Sequence, residues 1–219
     1  MSGCLSALQV RILRTLAGAL SGRWVLTGGA ALGGFYTTHR ATRDLDITPR
    51  DRATLGRLPD EVAVCLRDAG LIIEAHRIHR QRWQIDAGDD TESVVVELVA
   101  GWEPSVEEPR VVTIGDQRIL VDSPHELLVR KLCALFDRAE PRDLDDVCAL
   151  LGVGGDLPRA LTDAGHVFSG LTASTLASTL RALPLAKLGP VVGWPEEKTT
   201  AMIRFRDELL SRIRASSGE

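Results

Sequence analysis

The chain has 219 residues, of which 44% are hydrophobic and 26% charged, as in ordinary globular proteins. The net charge of -4 excludes a general polyanion binder, so any nucleic-acid contact requires a local basic patch. The four cysteines have no Cys-x-x-Cys spacing, and the sequence has neither a signal-peptide pattern nor an apolar run long enough to cross a bilayer. We therefore expect reduced thiols and a cytoplasmic protein with no membrane contact.

The apolar spacing predicts a mixed region of helices and strands, followed by helices alone. In chain order we expect a helix over 5–20, a strand over 24–27, a helix over 30–38, a strand over 44–48, a helix over 59–69, paired strands over 71–78 and 80–86, a strand over 93–99, and a hairpin of 111–114 with 118–121. Helices should then cover 124–137, 141–151, 156–165, 172–183 and 196–214, with connectors over 152–155 and 184–195. The pattern predicts an α+β fold in two domains, a mixed sheet flanked by helices over residues 1–121 and an all-helical domain over residues 122–219.

A Gly-Gly turn and an acid pair lie close together near the start of the chain. Gly28 and Gly29 follow a predicted strand and lead into a helix, where backbone N–H groups suit a phosphate. Asp44 and Asp46 alternate with apolar residues on the next strand, so both carboxylates share one face. Two acidic groups on one face repel unless they are compensated, typically by a divalent cation. Together, the turn and the acid pair predict phosphoryl or nucleotidyl transfer.

Three further residues of this region are candidates for the same site. Arg40 and Thr42 precede the acid pair, where they can hydrogen-bond a phosphate or order the turn. A site with two metal ions usually needs a third carboxylate, and Glu97 stands alone in an otherwise apolar strand. Strand alternation is equally compatible with a Glu97 side chain that faces water.

A second cluster of charged residues falls on two consecutive predicted helices. Lys131 and Arg138 lie on one face of the first helix, and a lysine there can bring a point charge to a triphosphate. Asp143 and Asp146 share a face of the second helix. The alternative is a pair of helices joined by salt bridges, with no part in a reaction.

In their order and spacing these motifs resemble the AbiEii/AbiGii toxin family, over roughly residues 24–150. The motifs that carry the resemblance are Gly28-Gly29-x-x-Leu32, Arg40-x-Thr42-x-Asp44-x-Asp46, Lys131-Leu-x-Ala-Leu-x-x-Arg138 and Arg142-Asp143-x-x-Asp146. The family consists of nucleotidyltransferase-like proteins of the polymerase-β superfamily, found as toxins of bacterial type IV toxin–antitoxin systems. The resemblance implies a nucleotidyltransferase-like fold and Mg²⁺-dependent transfer of a nucleotide from an NTP, with the 3′ end of tRNA as the acceptor in some relatives.

The resemblance also implies roles for individual residues. Gly28, Gly29 and Arg40 would hold phosphates, and Asp44 and Asp46 would hold the metal. Lys131 would contact the triphosphate, and Asp143 would complete the active site. The remaining expected site residues are Thr27, Thr42 and Arg138 for nucleotide binding, and Glu97 (as a metal ligand) and Asp146 as additional members. Glu97 departs from the wider superfamily, where an aspartate is more usual.

The sequence leaves several alternatives open. The basic run from His76 to Arg82, beside Trp83, suits either an RNA backbone or a solvated strand edge. The NTP, the acceptor (tRNA, another RNA or a protein), the presence of an antitoxin and the oligomeric state are not determined. Two other functions compete with the leading one: a noncatalytic binding protein with this fold, and a transferase that modifies small molecules such as antibiotics. The leading hypothesis requires the acid pair and Lys131 to face one cleft between the domains.

Overall fold

The computed structural model describes residues 4–50, 56–79, 82–99 and 105–216. Its contacts divide the chain into two compact units, with the division between Ser123 and Pro124. The described residues contain seven strands and nine helices, which confirms the α+β class. No helix among them is long and apolar enough to cross a membrane.

A mixed seven-stranded sheet forms the centre of the first unit. Its strands are β1 (Trp24–Thr27), β2 (Asp44–Pro49), β3 (Ile72–His79), β4 (Arg82–Gly88), β5 (Ser93–Val99), β6 (Arg110–Ile114) and β7 (Gln117–Val121), in the order β3-β4-β5-β2-β1-β7-β6. Strand β1 runs antiparallel to β2 and parallel to β7, whereas β2 runs parallel to β5. The predicted pairing of the third and fourth strands and the predicted hairpin are both confirmed.

The helices of this unit are α1 (Ala7–Ala19), α2 (Gly28–Phe35) and α3 (Leu58–Asp68). Leu45 and Ile47 are fully buried, whereas Asp44 and Asp46 point to the opposite face of β2 and are half-buried. Helix α2 starts two residues before its predicted first residue, so the Gly-Gly pair lies inside its first turn.

Helix α1 also fixes the segment that leads to the acid pair. Ser6 and Gln9 form a capping box at its start, in which the side chain of each residue accepts from the backbone N–H of the other. The Gln9 side chain is almost fully buried, and its Nε2 donates to the carbonyl of Thr42 at 3.0 Å. Gln9 therefore both caps the start of α1 and orders the chain just before β2.

The second unit consists of helices among the residues described. They are α4 (Pro124–Arg138), α5 (Pro141–Gly152), α6 (Leu157–Val167), α7 (Ala173–Ala182), α8 (Leu185–Val191) and α9 (Glu196–Ser216). The prediction of a connector over 184–195 is wrong, because it contains α8. Leu185 is buried, and a Cβ at Gly189 would lie 2.5 Å from Thr199 Oγ1, so α8 packs closely on α9. Pro190 lies near the end of this short helix.

Candidate active site

The turn between β1 and α2 lies directly against the second aspartate of the acid pair. Thr27 is paired with Asp46 in the β1–β2 register. Gly28 has a φ of 66°, and a Cβ built there would lie 1.9 Å from Asp46 Oδ2. Glycine is therefore required twice at this position, for its backbone conformation and for the space that the carboxylate occupies.

Hydrogen-bond donors gather at the start of α2. A Cβ at Gly29 would lie 3.1 Å from Arg40 Nη2 and 3.1 Å from Thr42 Oγ1, so both side chains reach the turn. The N-cap residue Thr27 makes no side-chain cap hydrogen bond to the helix, and the N-terminal end of a helix dipole is positive. A guanidinium beside such a helix end forms a site that favours an anion such as a phosphate.

Two carboxylates lie on the strand next to this turn, and that of Asp46 contacts it. Asp44 and Asp46 are two residues apart, so they share a face. Oxygen donors of this kind are those that Mg²⁺ prefers. Asp46 Oδ2 occupies the place that a Cβ at Gly28 would take, so this carboxylate lies directly at the turn. The chemistry of the two donors therefore fits a magnesium ion.

Glu97 lies beside the acid pair but already has a partner. The parallel register of β2 and β5 places Glu97 opposite Asp46, on the same face of the sheet. Both of its oxygens accept from Arg82 Nη2, at 2.6 and 2.7 Å. Glu97 is therefore not the unpaired charge that its apolar strand suggested, and its role as a metal ligand stays a prediction.

The charged residues predicted from the second unit form a network between α4 and α5, in which Lys131 and the two aspartates are buried and the Arg138 side chain is 42% exposed. Lys131 Nζ lies 3.3 Å from Asp143 Oδ1 and 2.8 Å from Asp146 Oδ2. Arg138 binds Asp143 through Nε and Nη2, each at 2.8 Å. Both aspartates are 0% exposed and Lys131 is 8% exposed. The four predicted residues are brought together, and two cations balance two anions. This geometry satisfies the salt-bridge alternative, and the catalytic roles stay predictions.

Two members of the basic run, His76 and Arg82, lie close to acids. His76 Nε2 lies 3.9 Å from Glu74 Oε2 and 3.8 Å from Asp86 Oδ2, and Arg82 binds Glu97. Arg80 of this run lies outside the described residues. Because of these pairs, His76 and Arg82 offer an RNA backbone less positive charge than the sequence suggested.

Asp122 lies close to the start of α2, although in the sequence it stood out only as the boundary between the two predicted domains. It follows β7, is 4% exposed and accepts a short hydrogen bond from the Thr27 hydroxyl. Its backbone N–H donates to the Leu26 carbonyl at 2.9 Å, and its own carbonyl accepts from the Tyr36 hydroxyl at 2.9 Å. A signal was available, since an aspartate directly after an apolar strand often lies at a functional edge of a sheet.

Burial changes the acidity of the tyrosine in this group. It raises the pKa of Tyr36, and the negative charges of Asp122 and Glu107 act in the same direction, whereas Arg110 opposes them. The Tyr36 hydroxyl therefore keeps its proton, which it donates to the Asp122 carbonyl.

Comparison with known proteins gives a family match and several similar folds. The family model for the nucleotidyl transferase AbiEii toxin, type IV TA system, matches residues 11–209. The fold is similar to JHP933 from Helicobacter pylori, with a TM-score of 0.55 and 20% identity over 95% of this chain and 93% of that one. It is also similar to MenT4, the nucleotidyltransferase toxin Rv2826c from Mycobacterium tuberculosis H37Rv, with a TM-score of 0.58 and 14% identity over 95% and 89%.

A third similar structure is an antigenic nucleotidyltransferase-like protein from Paracoccidioides brasiliensis, with a TM-score of 0.56 and 16% identity over 84% and 93% of the two chains. No curated protein matches the chain. At these identities, the structures show a common fold. The nucleotidyltransferase-like fold predicted from the sequence is confirmed.

Proposed function

Because the chain belongs to the nucleotidyl transferase AbiEii toxin family and is a nucleotidyltransferase, we propose that it transfers a nucleotide from an NTP to an RNA, with Mg²⁺ bound by Asp44 and Asp46. The observation that supports this most is the Gly28 turn, which lies against the Asp46 carboxylate with no room for a Cβ. An anion-binding helix end and an acid pair meet there. A triphosphate with its metal ion needs both.

In this proposal, the turn and Arg40 bind and orient the triphosphate. The amides at Gly28 and Gly29 donate to phosphate oxygens, and Arg40 adds a charge-assisted hydrogen bond. Mg²⁺ held by Asp44 and Asp46 would neutralise phosphate charge and orient the oxygens around the α-phosphorus. The acceptor hydroxyl oxygen bonds to that phosphorus, the bond to the β-phosphate breaks, and pyrophosphate leaves while the hydroxyl loses its proton.

Further site roles follow from the family motifs. We propose nucleotide contacts for Thr42, Lys131 and Arg138, and site roles for Asp143, Asp146 and Glu97, on their match to the family motifs. We also propose the 3′ end of tRNA as the first acceptor to test, a cognate antitoxin as partner and the cytoplasm as location, because the family model describes type IV toxins.

Labelled nucleotides test the reaction directly. The purified protein is incubated with total RNA and each NTP in turn, labelled at the α-phosphate, with Mg²⁺ or with a chelator. We expect one RNA class to be labelled only when Mg²⁺ is present. Asp44→Ala should reduce labelling at least about a hundredfold while the protein stays folded, because the metal loses an anionic ligand.

Asp68→Ala is the matched control, since Asp68 is an exposed aspartate on α3. It should label as the unchanged protein does. Full labelling by Asp44→Ala, or labelling in chelator, would contradict the assignment. Label on protein or on a small molecule would retain nucleotidyl transfer and exclude the RNA acceptor.

A further inference from the structure

We propose that Asp122 is a positioning residue that holds helix α2 at both ends and keeps the N–H groups at its start open to a phosphate. That a phosphate binds there depends on the proposed function. The positioning of α2 depends only on hydrogen bonds within the first unit.

Asp122 binds the Thr27 side chain at the start of α2. Thr27 occupies the N-cap position, where a threonine hydroxyl usually accepts from an N–H group of the first turn. Here it makes no such bond, and the hydroxyl instead donates to Asp122 Oδ2. Asp122 thus turns the natural capping group away from the helix, so the hydroxyl does not compete with a ligand for the first N–H groups.

Asp122 also contacts the other end of the same helix. Tyr36 directly follows α2, and its hydroxyl donates to the Asp122 carbonyl at 2.9 Å. Asp122 is also tied to β1 through its N–H, which donates to Leu26. One buried residue therefore joins the strand before α2, the residue that starts α2 and the residue that follows it.

The turn between β1 and α2 has no spare room beside Asp46. A single methyl-sized group at Gly28 would overlap the Asp46 carboxylate. A small displacement of α2 therefore changes the distance between its first N–H groups and that carboxylate. Removing the Asp122 contacts should change how a triphosphate fits even when the sheet is intact.

Paired variants separate this role from a simple loss of packing. Thr27→Val keeps the shape of the side chain and removes the hydroxyl. Asp122→Ala removes the acceptor, whereas Asp122→Asn keeps an oxygen that can accept from Thr27. Thr48→Val is the matched control, because Thr48 is also 9% exposed and its hydroxyl donates to a strand carbonyl, that of Val25, at 3.5 Å.

Two measurements are made on the full chain: the Kd of each Mg²⁺–NTP by calorimetry, and hydrogen exchange of the amides over residues 28–35. We expect Thr27→Val and Asp122→Ala to raise the Kd about tenfold. Thr27→Val should also speed exchange in α2 about tenfold, since the tether at its start is lost. Asp122→Asn and Thr48→Val should stay within about twofold of the unchanged protein in both measurements.

Asp122→Asn distinguishes positioning from charge. If Asp122 acted only through its negative charge, the neutral asparagine would tighten nucleotide binding. The proposal is overturned if Thr27→Val matches Thr48→Val in both Kd and exchange. If the unchanged protein binds no nucleotide but Thr27→Val speeds exchange over 28–35, the positioning of α2 stands and the proposed function fails.

Discussion

Gly28 combines a left-handed backbone conformation with a carboxylate at the place of its missing side chain. Gly28→Ala should lower the free energy of unfolding by about 1 kcal/mol from the backbone alone. Its Cβ would also displace Asp46, so nucleotidyl transfer should fall at least about tenfold. Denaturant unfolding and the labelled-NTP assay measure the two effects.

Gly22→Ala is the control for this prediction. Gly22 has a φ of 73°, and a Cβ there would have nothing within 4 Å. It should show the backbone cost and keep full transfer. Equal activity of the two variants would show that the clearance at Gly28 has no role in the reaction.

Tyr36 gives a test of the Asp122 group by pH. Burial raises its pKa above the ordinary 10.0, and it is the sole tyrosine of the sequence, so the near-ultraviolet absorbance of tyrosinate reports it alone. We expect a midpoint above 10.0 in the folded protein and near 10.0 in denaturant.

The raised pKa of Tyr36 makes the stability of the folded protein depend on pH. The folded state holds the proton more tightly, so the stabilisation is complete below pH 10.0 and is lost as the pH rises through the folded pKa. Tyr36→Phe should remove this loss of stability at alkaline pH. A folded-state midpoint at or below 10.0 would mean that the hydroxyl is not held as described.

Single residues differed in how well the sequence revealed them. Asp44 and Asp46 were recognisable because strand alternation fixes their common face from local sequence. The place of Asp122 directly after an apolar strand was visible in the sequence, but its contact with Thr27 was not, because Thr27 lies 95 residues away along the chain. Glu97 was ambiguous for the same reason, since only the pairing of β4 with β5 brings Arg82 to it.

Helices α4 and α5 are joined by three buried charged residues, Lys131, Asp143 and Asp146. Asp146→Asn keeps the shape of the side chain but leaves Lys131 with Asp143 alone, which itself also binds Arg138. Breaking a buried ion pair leaves an uncompensated charge, so we expect a loss of about 3 kcal/mol in the free energy of unfolding. Urea denaturation measures it.

The exposed pair between Arg142 and Glu140, with side chains 49% and 40% exposed, provides the comparison. Arg142→Ala should cost less than about 1 kcal/mol. Similar losses for the two variants would contradict the argument that burial makes the network structural. Transfer activity measured on Asp146→Asn then tests the catalytic role that the motif predicts.

Elements were predicted well where local patterns are strong. β5 agrees in both bounds because β-branched residues dominate it, and α5 and α6 each begin next to a proline that suits a first turn. Helix α8 was missed because the prolines around it indicate a connector. Its packing against Thr199 of α9 stabilises it, and local sequence contains no sign of that contact.

At the scale of the molecule, the sequence predicted a mixed sheet but not its strand order. Periodicity identifies strands one at a time, whereas the order depends on contacts between distant segments. The neighbours β2 and β5, which place Asp46 beside Glu97, are separated in the chain by α3, β3 and β4. The motif order added what periodicity lacked, because it identified the family whose model matches residues 11–209.

The position of β1 between β2 and β7 affects how a newly made chain acquires activity. Ribosomes build proteins from the amino end, so Gly28 and Asp46 emerge long before Glu97 and Asp122, and pairings between remote segments form slowly. A nascent chain that ends before residue 117 lacks β7 altogether. A product that terminates before β7 also lacks Asp122 and the proposed site residues of the second unit, so it should transfer no nucleotide.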